Sequence, residues 1–301
     1  MNTRCLGHLV MACIFLAAAT AHAGDGLTRI SQHVYAYVAR DASPANSFGA
    51  NAGIVIGDEA IAVVDSLVSA RQGRRLLTDI RKISDKPIRY LINTHGHLDH
   101  TLGNGVFAAE GATIVAQREC DRDMRANLAA TLAQADAYGL TAEDMAGTAP
   151  AYPTLIFDRN LRLNLGGIDV DLLYFGPSHS PGSIMVHIPA DEAAFAGDIL
   201  FTDFYPYMGT GDVAGWLKSL TALSDLGARY VIPGHGPLSN VTDIQAMVAY
   251  LRLFDRKARQ LVETGATPEA ATAELKQVLP PRAQGEWLIR ASLEGKYLRK
   301  P

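Results

Sequence analysis

Three histidines and an aspartate fall within six positions of the stretch INTHGHLDHTLGN, residues 92–104. The run lies between an apolar segment and a glycine-containing turn. Folding alone has no use for so many imidazoles in one loop, because a polar ring is costly to bury unless it is paired. A metal ion does have a use for them, since neutral imidazole and carboxylate are ligands for zinc, iron or manganese. His95 and His97 are one residue apart, so both point the same way from an extended loop. Asp99 and His100 are adjacent, and a tight turn lets that pair face a second point. The competing reading is a polar loop that holds histidines by chance.

More residues of the same chemistry follow at a distance. His179 sits in the loop GPSHSPGS, after the apolar DLLYF. Asp198 follows the apolar run AAFAG, where a charge is costly unless it is paired or bound to a metal. His235 closes RYVIPGH, and Asp65 closes AIAVVD. Outside residues 1–23 the chain has seven histidines, and five of them belong to this set. The other two, His33 and His187, sit in strand-like patterns and read as surface or packed residues. Asp65 reads either as a support for the ligand loop or as a turn-capping carboxylate.

The elements that must carry these residues are legible as patterns. LTRISQHVYAYVAR reads as an antiparallel strand, and residues 40–51 as a turn or flexible flap. AGIVIG and AIAVVD make a hairpin, residues 69–83 an amphipathic helix capped by Ser69, and IRYLINT a buried strand. The second half repeats the scheme. One hairpin turns at Gly166-Gly167, another turns at PADEA, a helix covers 212–226, and RYVIPGH is a strand. Residues 118–146 read as helical, as do 241–263, 267–278 and 284–298. Two mixed β-sheets packed face to face with helices outside, an α/β four-layer αββα sandwich, accommodate these pieces. Strand ends on one rim of such a sandwich converge, and loops held by a rigid scaffold are where sites are built.

Bulk properties narrow the function. Residues 1–23 carry one basic residue, Arg4, then an apolar run and AHA, the pattern of a secretory signal cleaved after Ala23. The run is shorter than the roughly 20 residues needed to span a bilayer. The expectation is a periplasmic or secreted protein with no membrane attachment after cleavage. Residues 24–301 then form one domain that includes the helices from about 241 onward. The net charge of −4 and the lack of a basic stripe argue against nucleic acid. The expected partner is a small-molecule substrate. Cys120 is the one cysteine beyond residue 23, so no internal disulfide forms; in a helix it reads as structural.

H-x-H-x-D-H at 95–100, a histidine in G-x-S-H-S-P-G-S, then GD, then PGHG, in that order, resemble the metallo-β-lactamase superfamily over roughly residues 27–245. The resemblance implies the αββα fold and two divalent metal ions, zinc first, with iron or manganese as alternatives. It assigns His95, His97 and His179 to one ion and Asp99, His100 and His235 to the other. Asp198 bridges the two, as in glyoxalase II-like members, and Asp65 supports the ligand loop. It also implies a water acidified by both ions and oriented by Asp99. That water attacks an ester-like bond: a thioester, an ester or lactone, or a β-lactam. Dedicated zinc β-lactamases carry cysteine or serine where this chain has Asp198, which points to the broader hydrolase group. Glyoxalase II's extra C-terminal domain has no match here. The pattern looks closer to periplasmic hydrolase-like proteins of sulfur or quinoprotein systems. In the loop 201–212, Phe204, Tyr205 and Tyr207 read either as walls of an apolar pocket, with Tyr205 donating to an oxyanion, or as packing aromatics. Two rival functions are a persulfide dioxygenase with one iron on His95, His97, His179 and Asp198, and a noncatalytic metal-binding accessory. The superfamily's ribonuclease branch is disfavoured by the acidic balance.

Overall fold

The computed structural model describes residues 26–298, so the leader read over residues 1–23 lies outside the described residues. Seven strands form the first sheet in chain order: β1 (Thr28–Arg29), β2 (Val34–Tyr37), β3 (Ala52–Ile56), β4 (Ile61–Val64), β5 (Ile88–Ile92), β6 (Thr113–Gln117) and β7 (Leu155–Phe157). Neighbours are antiparallel from β1 to β4 and parallel from β4 to β7. The second sheet holds β8 (Asn160–Asn164), β9 (Asp169–Leu173), β10 (Met185–Ile188), β11 (Ala193–Phe201) and β12 (Tyr230–His235), with β12 at one edge and β8 at the other. Its β11–β12 pair is parallel and the others are antiparallel.

Side-chain alternation sorts the layers. Ala62 and Val64 of β4 enter the core between the sheets with Val170, Leu172, Val186 and Phe195. Ile61 and Val63 face the other way, onto Leu76 and Ile80 of α1 (Ala70–Arg81). Along the chain follow α2 (Leu98–Thr101), α3 (Asn104–Ala109), α4 (Arg118–Ala133), α5 (Val213–Asp225), α6 (Val241–Glu263), α7 (Pro268–Val278) and α8 (Trp287–Ser292). Phe107 of α3 joins the α1 face. Beyond the second sheet, Ala194 and Ala196 pack with Trp216 of α5 and with Tyr250 and Phe254 of α6. The result is the expected four-layer αββα sandwich. Ser69 caps α1 by accepting the Gln72 N–H, Asp212 caps α5 through Gly215, and Asn240 and Asp243 form a capping box on α6.

Four local expectations change. The strand read over 27–40 is split by a bend at 31–33, where the His33 backbone N–H and ring Nδ1 both bond Asp191. The segment read as a flexible flap contains a 3-10 helix, Pro44–Gly49. It is held in place because Ser47 Oγ accepts the Val68 N–H and the Ala45 carbonyl accepts from Gln72. Helix α4 stops at Ala133, followed by a 3-10 turn that ends at Gly139 in the left-handed region. The last helix is shorter, passing from α8 into a π turn over Leu293–Tyr297. Strand β7 escaped the pattern reading because it has three residues. Among the described residues, no helix is long and apolar enough to cross a membrane.

Candidate metal centre

Parallel pairing of β4 with β5 and of β11 with β12 brings four strand ends to one rim. Asp65 follows β4 directly, with φ of 61°, a strained value for a non-glycine residue. The segment after β5 delivers His95 and His97, and α2 begins at once to present Asp99 and His100. The loop after β9 brings His179, and His235 ends β12. Asp198 lies within β11 rather than after its end. The strand continues past a register irregularity around Gly197, and such a bulge re-aims the following side chain. Gly234 of β12 is required beside it, because a Cβ there would collide with Asp198 Oδ1.

The seven groups meet as two sets that share Asp198. In the first, His97 Nδ1 lies 3.1 Å from His95 Nε2 and 3.0 Å from His179 Nε2. Asp198 Oδ2 lies 3.6 Å from His95 Nε2 and 3.2 Å from His179 Nε2. In the second, His100 Nε2 and His235 Nε2 are 3.4 Å apart, and Asp198 Oδ1 is 3.2 and 3.4 Å from them. Asp99 Oδ2 completes this set at 3.6 Å from His100 and 3.3 Å from His235. A four-coordinate cation with bonds of about 2.0–2.1 Å holds its ligand atoms about 3.3 Å apart. Both sets fit that spacing.

Hydrogen bonding behind the rings points the same lone pairs inward. The Asp65 carboxylate accepts the Thr94 backbone N–H at 2.8 Å and the Thr94 hydroxyl at 2.7 Å. Having donated to Asp65, the Thr94 oxygen accepts from His95 Nδ1 at 3.1 Å, which leaves Nε2 unprotonated toward the centre. Asp65 Oδ2 also accepts a hydrogen bond from His100 Nδ1 at 2.9 Å, which turns His100 Nε2 toward the centre. On the far side, Thr210 donates to the His179 carbonyl at 3.2 Å and faces His97 Nε2 at 3.4 Å, so His97 turns Nδ1 inward. Asp198 Oδ1 is buried without a hydrogen-bond partner, although two imidazole nitrogens lie near it. These are lone pairs converging on a point, the arrangement a cation satisfies.

Electrostatics separate the two sets. Burial, opposed by Asp198 and reinforced by neighbouring histidines, pushes His95 well below the usual histidine range and His179 down to about 3. Burial also works against charge on His100 and His235. There, however, Asp198, Asp99 and (for His100) Asp65 prevail, holding His100 well above its ordinary value and His235 at about 9. Asp99 and Asp198 stay below the ordinary carboxylate value despite burial, because of those same histidines.

The metallo-beta-lactamase superfamily profile matches residues 46–235. The chain belongs to the metallo-beta-lactamase superfamily. It is 27% identical over 266 residues to the linear primary-alkylsulfatase of a Pseudomonas sp., covering 75% of this chain and 49% of that protein. It is 25% identical over 216 residues to the metallo-beta-lactamase type 2 of Bacteroides fragilis, covering 70% of this chain and 78% of that one. Among solved structures, the stereoselective inverting sec-alkylsulfatase Pisa1 from Pseudomonas sp. superposes with a TM-score of 0.70 at 17% identity, over 91% of this chain and 50% of that chain. At such identity the superposition speaks for the fold alone. The chain spans about half the length of these alkylsulfatases. This superfamily fold binds divalent metals, and its members are mostly metal-dependent hydrolases.

One expected site residue lies elsewhere. Tyr205 is buried in the core behind the second sheet, edge-on to Tyr250, and its hydroxyl accepts the Arg282 N–H at 3.3 Å. It does not reach the histidines. Two residues along the loop, the Tyr207 ring contacts His97 instead, at 5.8 Å between centroids. Pattern reading also missed Thr94, Thr210 and Trp216, whose indole meets His179 edge-on at 5.0 Å. Thr94 offered a signal, a hydroxyl between an apolar strand and the first histidine; Thr210 and Trp216 offered none. Cys120 is buried against Met124 with its thiol pushed well above the ordinary value by burial, a structural residue and not a nucleophile.

Proposed function

We propose that this protein is an exported hydrolase that uses two divalent cations, zinc first, to cleave an ester-like bond of a small molecule. The observation that carries the proposal is Asp198 lying between two complete donor sets, one carboxylate oxygen facing each. When bound, such a cation pair supplies Lewis acidity toward a water and toward the oxygen that gains charge. The residues of the chain do the rest. Asp65, Thr94 and Thr210 fix which nitrogen His95, His97 and His100 turn inward. Asp99, the carboxylate that completes the second set, is the acceptor that would orient a water's proton. Phe201, stacked on His235 at 5.0 Å, and Trp216 beside His179 exclude solvent from behind the rings.

Candidate bonds are a thioester, an ester or lactone, a β-lactam and, given the alkylsulfatase relative, a sulfate ester. A second complete set beside the first favours two cations over the mononuclear iron reading. The N-terminal leader pattern supports export to the periplasm or beyond. The test is to load the purified protein with zinc and assay a thioester, a lactone, an alkyl sulfate and a chromogenic cephalosporin, with and without chelator. Hydrolysis of at least one, abolished by chelation and by His97→Ala, is expected. Turnover indifferent to both would contradict the mechanism.

A further inference from the structure

We infer that the π turn over Leu293–Tyr297 is a clamp that sets the orientation of His97, with Gly295 and Lys296 as positioning residues. Its effect on the first cation rests on the proposed metal reading; its effect on the imidazole does not. His97 is the least enclosed ligand of its set, half-buried where His95 and His179 have no exposure. Thr94 fixes His95, and the Trp216 indole packs on His179. The His97 ring leans instead on one loop. There the Thr210 hydroxyl faces Nε2 at 3.4 Å, and the Tyr207 ring meets the imidazole at 5.8 Å between centroids.

Residues 206–211 form neither helix nor strand, so Tyr207 and Thr210 need support from elsewhere. The end of the chain supplies it at three points. Buried Ser292 accepts the Met208 N–H at 2.9 Å, and its hydroxyl donates to the Pro206 carbonyl at 3.4 Å. The Lys296 ammonium donates to the Gly211 carbonyl, beside Thr210, at 2.5 Å, a bond strengthened by its charge. Gly295 packs on Gly209 and on the Tyr207 hydroxyl, so close that a Cβ would lie 3.0 and 3.1 Å from them. Gly209 has no room for a side chain either, because the Tyr207 phenol lies across it. The turn that offers these groups is itself anchored. Leu293 is fully buried, and the Tyr297 hydroxyl donates to Asp255 of α6 at 2.8 Å. The Leu298 N–H bonds the Leu293 carbonyl, the wide spacing of a π turn, which is rare and recurs at functional sites. All of this lies beyond residue 235, where the family profile stops.

Imidazole nitrogen NMR of the metal-free protein at about pH 8, above the ordinary histidine range, tests the clamp. The His97 signals are assigned by their loss in His97→Ala. Wild type should hold one tautomer, with the proton on Nε2 facing Thr210. In Lys296→Met the other tautomer should appear, and Lys296→Arg should restore the single form. Gly295→Ala, which crowds the loop, should disturb it as Lys296→Met does. In a chelator competition the first zinc should bind about 10-fold more weakly to Lys296→Met, the low end of what losing a supporting group costs. The second zinc should change by less than about twofold, which makes it the control for folding. Mixed tautomers in wild type, a single one retained in Lys296→Met, or equal weakening of both sets would overturn the clamp. A tautomer change in Lys296→Met with no zinc bound by either protein would leave the clamp standing and sink the metal reading.

Discussion

The two ligand sets share a carboxylate and are otherwise unlike. The first has three imidazoles and one oxygen of Asp198, and burial keeps His95 and His179 neutral, with His179 at about 3. The second has two imidazoles and two carboxylates, and those carboxylates hold protons on His100 and His235, the latter at about 9. The first set is therefore ready to bind a cation at neutral pH, while the second must first release protons. The lesson is that ligand identity alone does not define a site, because the same residue type is tuned oppositely by what surrounds it.

The strongest way to break the comparison is Asp198→Ala. Loss of the shared carboxylate should weaken both sets by more than the roughly 10- to 100-fold that loss of a supporting group costs, leaving no high-affinity zinc in a competition titration with chelator. Selective loss from one set would mean that Asp198 does not bridge. A finer cut comes from the groups behind the rings. Asp65→Ala should weaken both sets by about 10- to 100-fold, because Asp65 orients His100 directly and His95 through Thr94. Thr94→Val should affect the first set alone, and equal weakening of both sets by Thr94→Val would reject the relay.

Proton linkage sharpens the contrast further. Between pH 6 and 8 the first cation should bind with less proton release than the second, because burial already keeps His95 and His179 neutral. The second should release roughly one to two protons, so its affinity rises with pH until His235 deprotonates near 9. Calorimetry in buffers of different ionisation enthalpy reads this directly, and proton release on the first step alone would reverse the assignment. The smallest effect is expected for Tyr205→Phe. Losing the acceptor for the Arg282 N–H should cost about 0.5–1.5 kcal/mol in denaturant unfolding and change neither zinc affinity beyond about twofold.

Much of this site was legible in the sequence because its chemistry is local in composition. Five histidines and two aspartates stand where apolar runs end, and burial of such groups demands a reason. The sandwich was legible because short apolar runs such as AIAVVD and RYVIPGH are interleaved with helical segments, the first of them capped by Ser69. What escaped was set by tertiary contact. Tyr205 and Tyr207 look alike in sequence, and which of them meets a histidine depends on Arg282, far along the chain, drawing the first of them into the core. Thr210 orients His97 across 113 positions, a separation no local pattern records. The split in the first strand likewise follows from Asp191 capturing His33.

Anomalous scattering from a zinc-soaked crystal tests the central claim most directly. The account predicts two peaks per chain about 3.5–4 Å apart. One should be bonded to His95 Nε2, His97 Nδ1, His179 Nε2 and Asp198 Oδ2, the other to Asp99, His100, His235 and Asp198 Oδ1. A single peak, or a pair not joined by Asp198, would contradict it.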